Sequence, residues 1–341
     1  MLTFCIRRLF YSALILYGVI TVTFLLMFVL PGDPARLMLG QRADVASVAA
    51  IRKQLGLDQP MTVQYLHFVE DMLPVDVISK SALAYKTYTY ASITTFDNGE
   101  KILCVKLPYF GRSFSSNRDV LSTIFDRFPA TGLLALSSII IATVLGIIVG
   151  IISAVKPYSV FDGTSMVLAL LGISLPVFVF GLLAALLFGV ILKWLPISGY
   201  INNGWEYLIL PAVTLGLRPL SVIARITRSS MLDVLGQDYV RTARAKGLSR
   251  RVVIFRHALR NAMNPVITTV SAWLAGLLAG AFFTEYIFNW PGIGELSIDA
   301  IQKLDFPMIE GTVLFTAIIF VIVNFLVDIL YAVLDPKVKL S

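Results

Sequence analysis

Residues Thr131–Val155 read TGLLALSSIIIATVLGIIVGIISAV, a stretch without a single charged side chain. As a helix, this stretch is long enough to cross the ~30 Å hydrocarbon core of a bilayer. The whole chain has a similar character, because 57% of its 341 residues are hydrophobic and only 14% are charged. A soluble domain of this length would need far more charge on its surface. The sequence therefore predicts a membrane protein.

Five further segments are long and apolar enough to span a membrane. The six segments are Leu9–Leu30, Thr131–Val155, Ser165–Leu192, Tyr207–Ile226, Val266–Ile287 and Thr312–Leu334. The first has no small-residue cleavage site, so we expect an uncleaved span and not a signal peptide. Pro176 is expected to kink the third span. The predicted fold class is an all-α polytopic membrane protein with six transmembrane helices.

Basic residues indicate the orientation of these spans. They cluster before span one, between spans two and three, between spans four and five, and after span six: Arg7, Arg8, Lys156, nine residues from Arg225 to Arg260, Lys337 and Lys339. The short loops on the opposite side carry mostly Glu and Asp. The positive-inside rule therefore places both termini in the cytoplasm, together with the basic loop at 227–265.

The predicted organisation has four regions. Residues 1–30 hold the N-terminus and the first transmembrane helix, and residues 31–130 form a large extracytoplasmic loop region. Residues 131–334 form a five-helix core that carries the cytoplasmic loop 227–265. Residues 335–341 form a cytoplasmic tail.

The outer loop region contains signals for local structure. Asp44 is placed to cap a helix running to Leu55, and a second short helix is expected from Pro60 to about Met72. The alternating residues of Leu83–Phe96, the turn Asp97-Asn98-Gly99 and the stretch Lys101–Leu107 predict a β-hairpin. The hairpin has two candidate roles, which are to cover the outer mouth of the core or to dock a soluble receptor.

The cytoplasmic loop is punctuated by helix signals. Gly236 is expected to end the fourth span, Asp238 to cap a helix over Tyr239–Lys246, and Gly247 to end that helix. Ser249 is expected to cap a further helix over Arg250–Met263, stopping near Pro265. The small residues Thr242, Ala243 and Ala245 would let one face enter a groove on another protein. The simpler interpretation is a basic loop that touches lipid headgroups.

The residues of this loop also resemble a known family. The run Asp238-Tyr239-Val240-Arg241-Thr242-Ala243-Arg244-Ala245-Lys246-Gly247, followed by His257-Ala258-Leu259-Arg260-Asn261-Ala262, is similar to the coupling loop of binding-protein-dependent ABC permeases. The dipeptide/oligopeptide (peptide/nickel) branch matches best. Shorter pieces agree along the chain, including Pro31–Pro34, Leu55–Pro60, Phe110–Ser113, Asn289–Gly294, Asp305–Pro307 and Asp335-Pro336. The stretch 79–106 departs from the family and resembles an insertion.

The resemblance implies the permease subunit of an ATP-driven importer in the cell inner membrane. Its expected partners are a second homologous permease subunit, two cytoplasmic ATPase subunits, an extracytoplasmic substrate-binding protein and membrane lipid. No Gly-x-x-x-x-Gly-Lys-Ser/Thr run occurs in the sequence, so ATP and Mg are expected in the partner ATPases and no cofactor in this chain. The residues expected to couple to those ATPases are Asp238, Tyr239, Arg241, Thr242, Ala243, Arg244, Lys246 and Gly247.

Three polar residues inside predicted spans are candidates for the substrate path. Arg218 lies midway along span four, where a charge is costly. It either faces the path and meets a peptide carboxylate, or pairs with an acid or reaches outward. Asn324 and Asp328 lie four residues apart on one face of span six. They either join helices or line the path.

Other functions have less support from the sequence. A secondary transporter would show inverted repeats and broken helices, and a membrane enzyme would need a set of catalytic side chains or a metal cluster. Cys5 and Cys104, and His67 and His257, are too few and too dispersed for a metal site or a disulfide framework. The basic residues flank membrane spans, which argues against nucleic acid as a partner. The cargo stays open between di- or oligopeptides, glutathione, nickel chelates and oligosaccharides.

Overall fold

The computed structural model describes residues 2–29, 44–54, 57–79, 90–96, 100–279 and 281–334. The described segments are mostly helical. The helices are α1 (Leu2–Val29), α2 (Val45–Gln54), α3 (Met61–Met72), α4 (Val120–Val155), α5 (Val160–Ser174), α6 (Val177–Ala184), α7 (Ile209–Leu235), α8 (Asp238–Ala245), α9 (Leu259–Leu278), α10 (Phe282–Ile287), α11 (Ile293–Gln302) and α12 (Phe306–Leu334). The strands are β1 (Val75–Ser79), β2 (Tyr90–Phe96) and β3 (Lys101–Lys106). The turn predicted at Asp97–Gly99 lies outside the described residues.

Four of these helices are long and apolar enough to cross a membrane. Their apolar spans are Ile6–Leu26, Val120–Val155, Trp205–Leu235, which starts in a 3₁₀ turn before α7, and Phe306–Ile329. A fifth span results if the bent pair α5 and α6 is counted as one. The described residues therefore confirm a polytopic helical membrane protein, whereas the predicted count of six spans is not confirmed.

The bend predicted at Pro176 is a complete break. α5 ends at Ser174, α6 begins at Val177, and the two directions differ by 110°. Pro176 occupies the position before the first residue of α6, where its missing N–H leaves no hydrogen bond unmade. α6 continues as a π-helical segment, Ala185–Ile191. The predicted kink is thus confirmed in a stronger form.

Two boundaries near the fifth predicted span are wrong. The helix expected to stop near Pro265 runs on through a π-helical segment, Val253–Ala258, into α9. Pro265 lies inside α9, as membrane helices tolerate. α9 ends at Leu278 and α10 begins at Phe282, so the predicted span Val266–Ile287 is not one continuous helix.

The chain folds into two compact units. The first comprises Met1–Arg8, Arg127–Ile298 and Thr316–Ser341. Its core lies between α4, α7 and α9, where small residues allow close approach. A methyl group added at Gly150 would lie 2.7 Å from the carbonyl oxygen of Ala224. At Gly146 a methyl group would lie 2.9 Å from the side chain of Ile223 and 3.0 Å from the carbonyl oxygen of Leu220, whereas at Gly276 nothing lies within 4 Å.

The second unit comprises Leu9–Asp126 and Asp299–Phe315. α2 begins as predicted, since the backbone N–H of Ser47 donates to the Asp44 carboxylate at 2.9 Å. α3 follows Pro60 as expected. β2 and β3 pair antiparallel with Phe96 opposite Lys101, which confirms the predicted pairing of these strands. The sequence did not indicate β1, which pairs with the other side of β3 to give the order β1-β3-β2.

Asp305 anchors the loop before α4 in this unit. Its Oδ2 accepts hydrogen bonds from the Ser113 hydroxyl at 2.5 Å and the Ser115 hydroxyl at 2.8 Å. Its Oδ1 accepts from the Phe114 backbone N–H at 2.9 Å. The carboxylate is buried, and these hydrogen bonds offset the free-energy cost of removing its charge from water. Asp305 thereby fixes the loop to the start of α12.

Candidate functional site

α8 is a short helix with a sharp boundary at each end. α7 ends at Leu235, with Gly236 as its C-cap. Gln237 is the N-cap of α8 and Asp238 is its first residue, so the prediction that Asp238 caps the helix is wrong. The carboxylate still lies in the first turn, where a negative charge is favourable. Gly247 has φ +76° and ends the helix in the left-handed conformation that glycine adopts without strain.

The inner face of α8 is apolar and covered by its own chain. Val240 and Ala243 are buried against Val253, with Val234 and Leu235 at the end of α7 packed beside them. Ala243 is therefore not available to enter a groove on another protein, contrary to expectation. The helix instead rests on α7 and on the π-helical segment that follows it.

The outer face of α8 is exposed and mostly basic. Arg241, Arg244 and Lys246 supply three positive charges and Asp238 one negative charge, and all four are exposed, as are Tyr239 and Thr242. Arg241 lies 3.6 Å from the Asp238 carboxylate, but the two side chains remain 73% and 96% exposed, so the pair contributes little to stability. These charges are free to meet a partner.

Tyr239 joins α8 to the next helical segment. Its hydroxyl accepts a hydrogen bond from Nδ2 of Asn261 at 2.8 Å. The same hydroxyl lies 3.5 Å from the carbonyl oxygen of His257. Together with the buried face, these contacts attach α8 on two sides, which makes it a rigid projection and not a flexible linker.

Arg250 connects the loop to the end of α4. Its Nη2 donates to the carbonyl oxygen of Val155 at 3.2 Å, one of the terminal carbonyls that an α-helix leaves without an internal partner. A cavity of about 450 Å³ is lined by Arg244, Leu248 and Arg250 among others. Ser249 is the N-cap of a short helix, Arg250–Val252, as predicted, but its side chain makes no capping hydrogen bond.

Asp162, which is buried, and Arg228, which is partly buried, form an ion pair that the sequence does not indicate. Nε and Nη2 of Arg228 donate to Oδ1 and Oδ2 of Asp162 at 2.5 and 2.7 Å. The pair joins the first turn of α5 to α7, close to α8 along the chain. Asp162 lies in the first turn of α5, where an acidic residue is common in any helix. The sequence therefore gives no sign of its partner, and only the fold reveals it.

The three candidates for the substrate path have different surroundings. Arg218 is exposed on α7, with its guanidinium carbon 5.9 Å from the ring centre of Trp273. Asp328 accepts from Arg8 at 3.1 Å, an ion pair between α12 and α1. Asn324 donates to the carbonyl oxygen of Phe320 within its own helix at 2.8 Å. None of these contacts joins two of the three residues, and their role in the path stays a prediction.

Metal binding has no support in the described ranges. Within residues 2–29, 44–54, 57–79, 90–96, 100–279 and 281–334, no group of three His, Cys, Asp or Glu side chains is placed to hold an ion.

Comparison with known proteins identifies the family. Residues 146–340 match the family described as binding-protein-dependent transport system inner membrane component. The chain belongs to this family. Residues 1–135 match the N-terminal family of the same membrane components. The chain is therefore the permease component of a binding-protein-dependent ABC importer, a multi-pass protein of the inner membrane, and a secondary transporter is excluded despite the broken helix at Pro176.

Full-length relatives agree with this assignment. The chain is 39% identical over 339 residues to the glutathione transport system permease protein GsiC of Salmonella choleraesuis (strain SC-B67), with 99% of each chain covered. It is 38% identical to the protein of the same name from Escherichia coli (strain K12), again with 99% of each covered. A solved structure of the MetNI methionine ABC transporter is similar at TM-score 0.49 and 14% identity, covering 63% of this chain and 97% of that chain.

Proposed function

We propose that this permease forms half of a translocation pathway for peptides or similar small solutes, and that α8 is its point of coupling to partner ATPases. The observation that carries the proposal is the division of α8 into a buried apolar face and an exposed basic face. A helix of this kind can transmit a displacement from a partner to α7, because its inner face is packed against α7 and its outer face is exposed to contact a partner.

The mechanism follows from that attachment. ATP-driven closure of the ATPases displaces α8, and α8 moves α7 and the helical segment that leads to α9. The spans then pass between an inward-open and an outward-open arrangement, a two-state change driven from a remote site. The residues assigned to this coupling are the exposed Asp238, Tyr239, Arg241, Thr242, Arg244 and Lys246, with Ala243 and Gly247 fixing the shape of the helix.

The proposed assembly contains two permease subunits and two ATPase subunits. The second permease is a homologue of this chain, and ATP and Mg bind only in the ATPases. A substrate-binding protein delivers cargo on the outer face. The proposed topology has six spans, with α5 and α6 forming one span and α9 and α10 forming another, and both termini in the cytoplasm as the positive-inside rule requires.

A tripeptide such as glutathione is the more specific candidate for the cargo. The favouring observation is the 38–39% identity over nearly the whole chain to permeases of glutathione transport systems. Competition between labelled glutathione and unlabelled di- and oligopeptides, in vesicles that hold the assembled importer, tests this choice.

Two glycine substitutions test the role of α8. Gly247→Val places a β-branched side chain at φ +76°, where an L-residue costs about 1–2 kcal/mol, although a Cβ there would touch nothing within 4 Å. Gly236→Val makes the same chemical change at φ −81°, where no such strain arises. We expect Gly247→Val to lower the ratio of cargo imported to ATP hydrolysed by about tenfold, and Gly236→Val to change it little.

Membrane insertion provides the necessary control. Both variants should reach wild-type amounts in the membrane, since neither change lies in a predicted span. Wild-type coupling in Gly247→Val, or an importer that never copurifies with an ATPase, would contradict the proposed role of α8.

A further inference from the structure

The ion pair between Asp162 and Arg228 is built for rigidity. Both oxygens of the carboxylate accept from the guanidinium, a two-pronged geometry that fixes orientation as well as distance. The side chain of Asp162 is only 4% exposed and that of Arg228 is 23% exposed. Water therefore competes less for this contact than for an exposed pair such as Asp299 and Lys303, whose side chains are 41% and 54% exposed.

The pair also holds the backbone at the start of α5. Oδ2 of Asp162 accepts a further hydrogen bond from the backbone N–H of Tyr158 at 2.9 Å. The N–H of Asp162 itself donates to the hydroxyl of Ser159, the N-cap of α5. Arg228 is thus connected to the first turn of α5 and to the loop before it, and not merely to one side chain.

Arg228 is rigidly linked to α8 on its other side. It lies on α7, and the last turn of α7 carries Val234 and Leu235 against the buried face of α8. Arg228 lies about two helical turns before the end of α7, and an α-helix is stiff over that length. A displacement of α8 that moves the end of α7 therefore also moves Arg228.

Apart from Asp162, the buried residues of α5 are small, namely Ala169 and Gly172. Gly172 lies directly against Ser221, and a methyl group at that glycine would collide with the serine hydroxyl. The large apolar side chains of α5, such as Leu168 and Leu171, point away and are exposed. A smooth contact of this kind lets helices approach closely, but it offers few interlocking side chains to prevent sliding.

We propose that the Asp162–Arg228 pair is the positioning contact that makes α5 follow α7 when α8 is displaced, so that movement at α8 reaches the bent pair α5–α6. This inference rests on the proposed coupling role of α8. It predicts that loss of the pair separates ATP hydrolysis from transport even where the importer assembles.

The choice of variants follows from the energetics of buried charges. Removing one partner leaves the other charge buried and unpaired, which is strongly destabilising, whereas replacing both by apolar residues of similar size is often neutral. Asp162→Leu combined with Arg228→Met therefore removes the two-pronged contact with the least risk to folding. Asp162→Arg combined with Arg228→Asp restores opposite charges in the reversed order.

The experiment uses the complete importer in proteoliposomes with its substrate-binding protein. We expect the apolar double variant to assemble and hydrolyse ATP, but to import about tenfold less cargo per ATP. The charge-reversed variant should regain part of the lost coupling. Arg228→Lys should import an amount of cargo per ATP between that of the apolar double variant and that of the wild type, because lysine keeps the charge but cannot make the two-pronged contact. Asp299→Asn, which breaks an exposed pair with Lys303, is the matched control and should couple normally.

Two outcomes would overturn the inference. One is an apolar double variant that assembles and couples like the wild type. The other is a set of variants whose losses of transport match their losses of assembled complex, because the pair would then serve stability alone. A failure of the proposed function is distinguishable, since wild-type importer would then show no ATP-driven uptake in the same assay.

Discussion

At the scale of single residues, Asp305 shows how a buried charge is made tolerable. Two hydroxyl groups and two backbone N–H groups donate to its carboxylate, from Ser113, Phe114 and Ser115. Each of these hydrogen bonds is charge-assisted and therefore stronger than a neutral one. The same residue stands in the Asp305-Phe306-Pro307 piece that resembles the family, which gives that short motif a physical role in fixing the loop before α4.

Asp305→Asn tests this role. The amide keeps the shape, but one of its ends donates and faces groups that also donate, so we expect a loss of about 1.5–3 kcal/mol in the free energy of unfolding. The midpoint of thermal unfolding in detergent measures it. Asp299→Asn serves as the control, because an exposed pair at i,i+4 contributes only about 0.3–0.5 kcal/mol. Equal midpoints for the two variants would contradict the anchoring role.

At the scale of elements, the contact of α4 with α7 depends on glycine. Gly150→Ala would bring a methyl group 2.5 Å from Cβ of Thr227 and 2.7 Å from a backbone oxygen, which cannot rotate away. Overpacking of this kind costs about 1–3 kcal/mol. We expect a lower thermal midpoint and less folded protein for Gly150→Ala. Gly276→Ala, where nothing lies within 4 Å, should behave like the wild type, and a loss of similar size there would contradict the packing argument.

At this scale, an element is predictable from the sequence where its signal is local. Gly247 and Pro60 mark helix ends through their own backbone preferences, so the boundaries beside them were predictable. β1 was not, because its five residues gain hydrogen bonds only by pairing with β3. The Asp162–Arg228 contact joins residues 66 positions apart, and no pattern in either helix indicates the partner.

At the scale of the whole molecule, the proposed topology gives a direct prediction. Tyr158 lies in the loop between α4 and α5 and is 95% exposed, and Trp205 lies at the start of the 3₁₀ turn before α7 and is 74% exposed. The proposed topology assigns these two positions to opposite sides of the membrane. In a background with Cys5 and Cys104 replaced by serine, we expect Trp205→Cys to react with a membrane-impermeant maleimide added outside. Tyr158→Cys should react only after the inner membrane is opened. The reverse pattern would overturn the orientation.

The membrane character and the family could be predicted from composition and short motifs, because both are spread over the chain. The number of spans is less predictable from composition. Hydropathy treats Val266–Ile287 as one apolar segment, yet α9 ends at Leu278 and α10 starts at Phe282. A helix ends where its backbone finds other partners, and average hydropathy carries no information about those partners.

The hydrogen bond from Arg250 to Val155 has a consequence for how this protein can vary over generations. The acceptor is a peptide carbonyl, which every amino acid supplies, so position 155 can drift without loss of that bond. The donor is one guanidinium, and its replacement removes the bond at once. The hydrogen bond therefore depends on the identity of the side chain at position 250 and not on that at position 155. In a library covering every substitution, we expect position 250 to accept few residues and position 155 many of similar size.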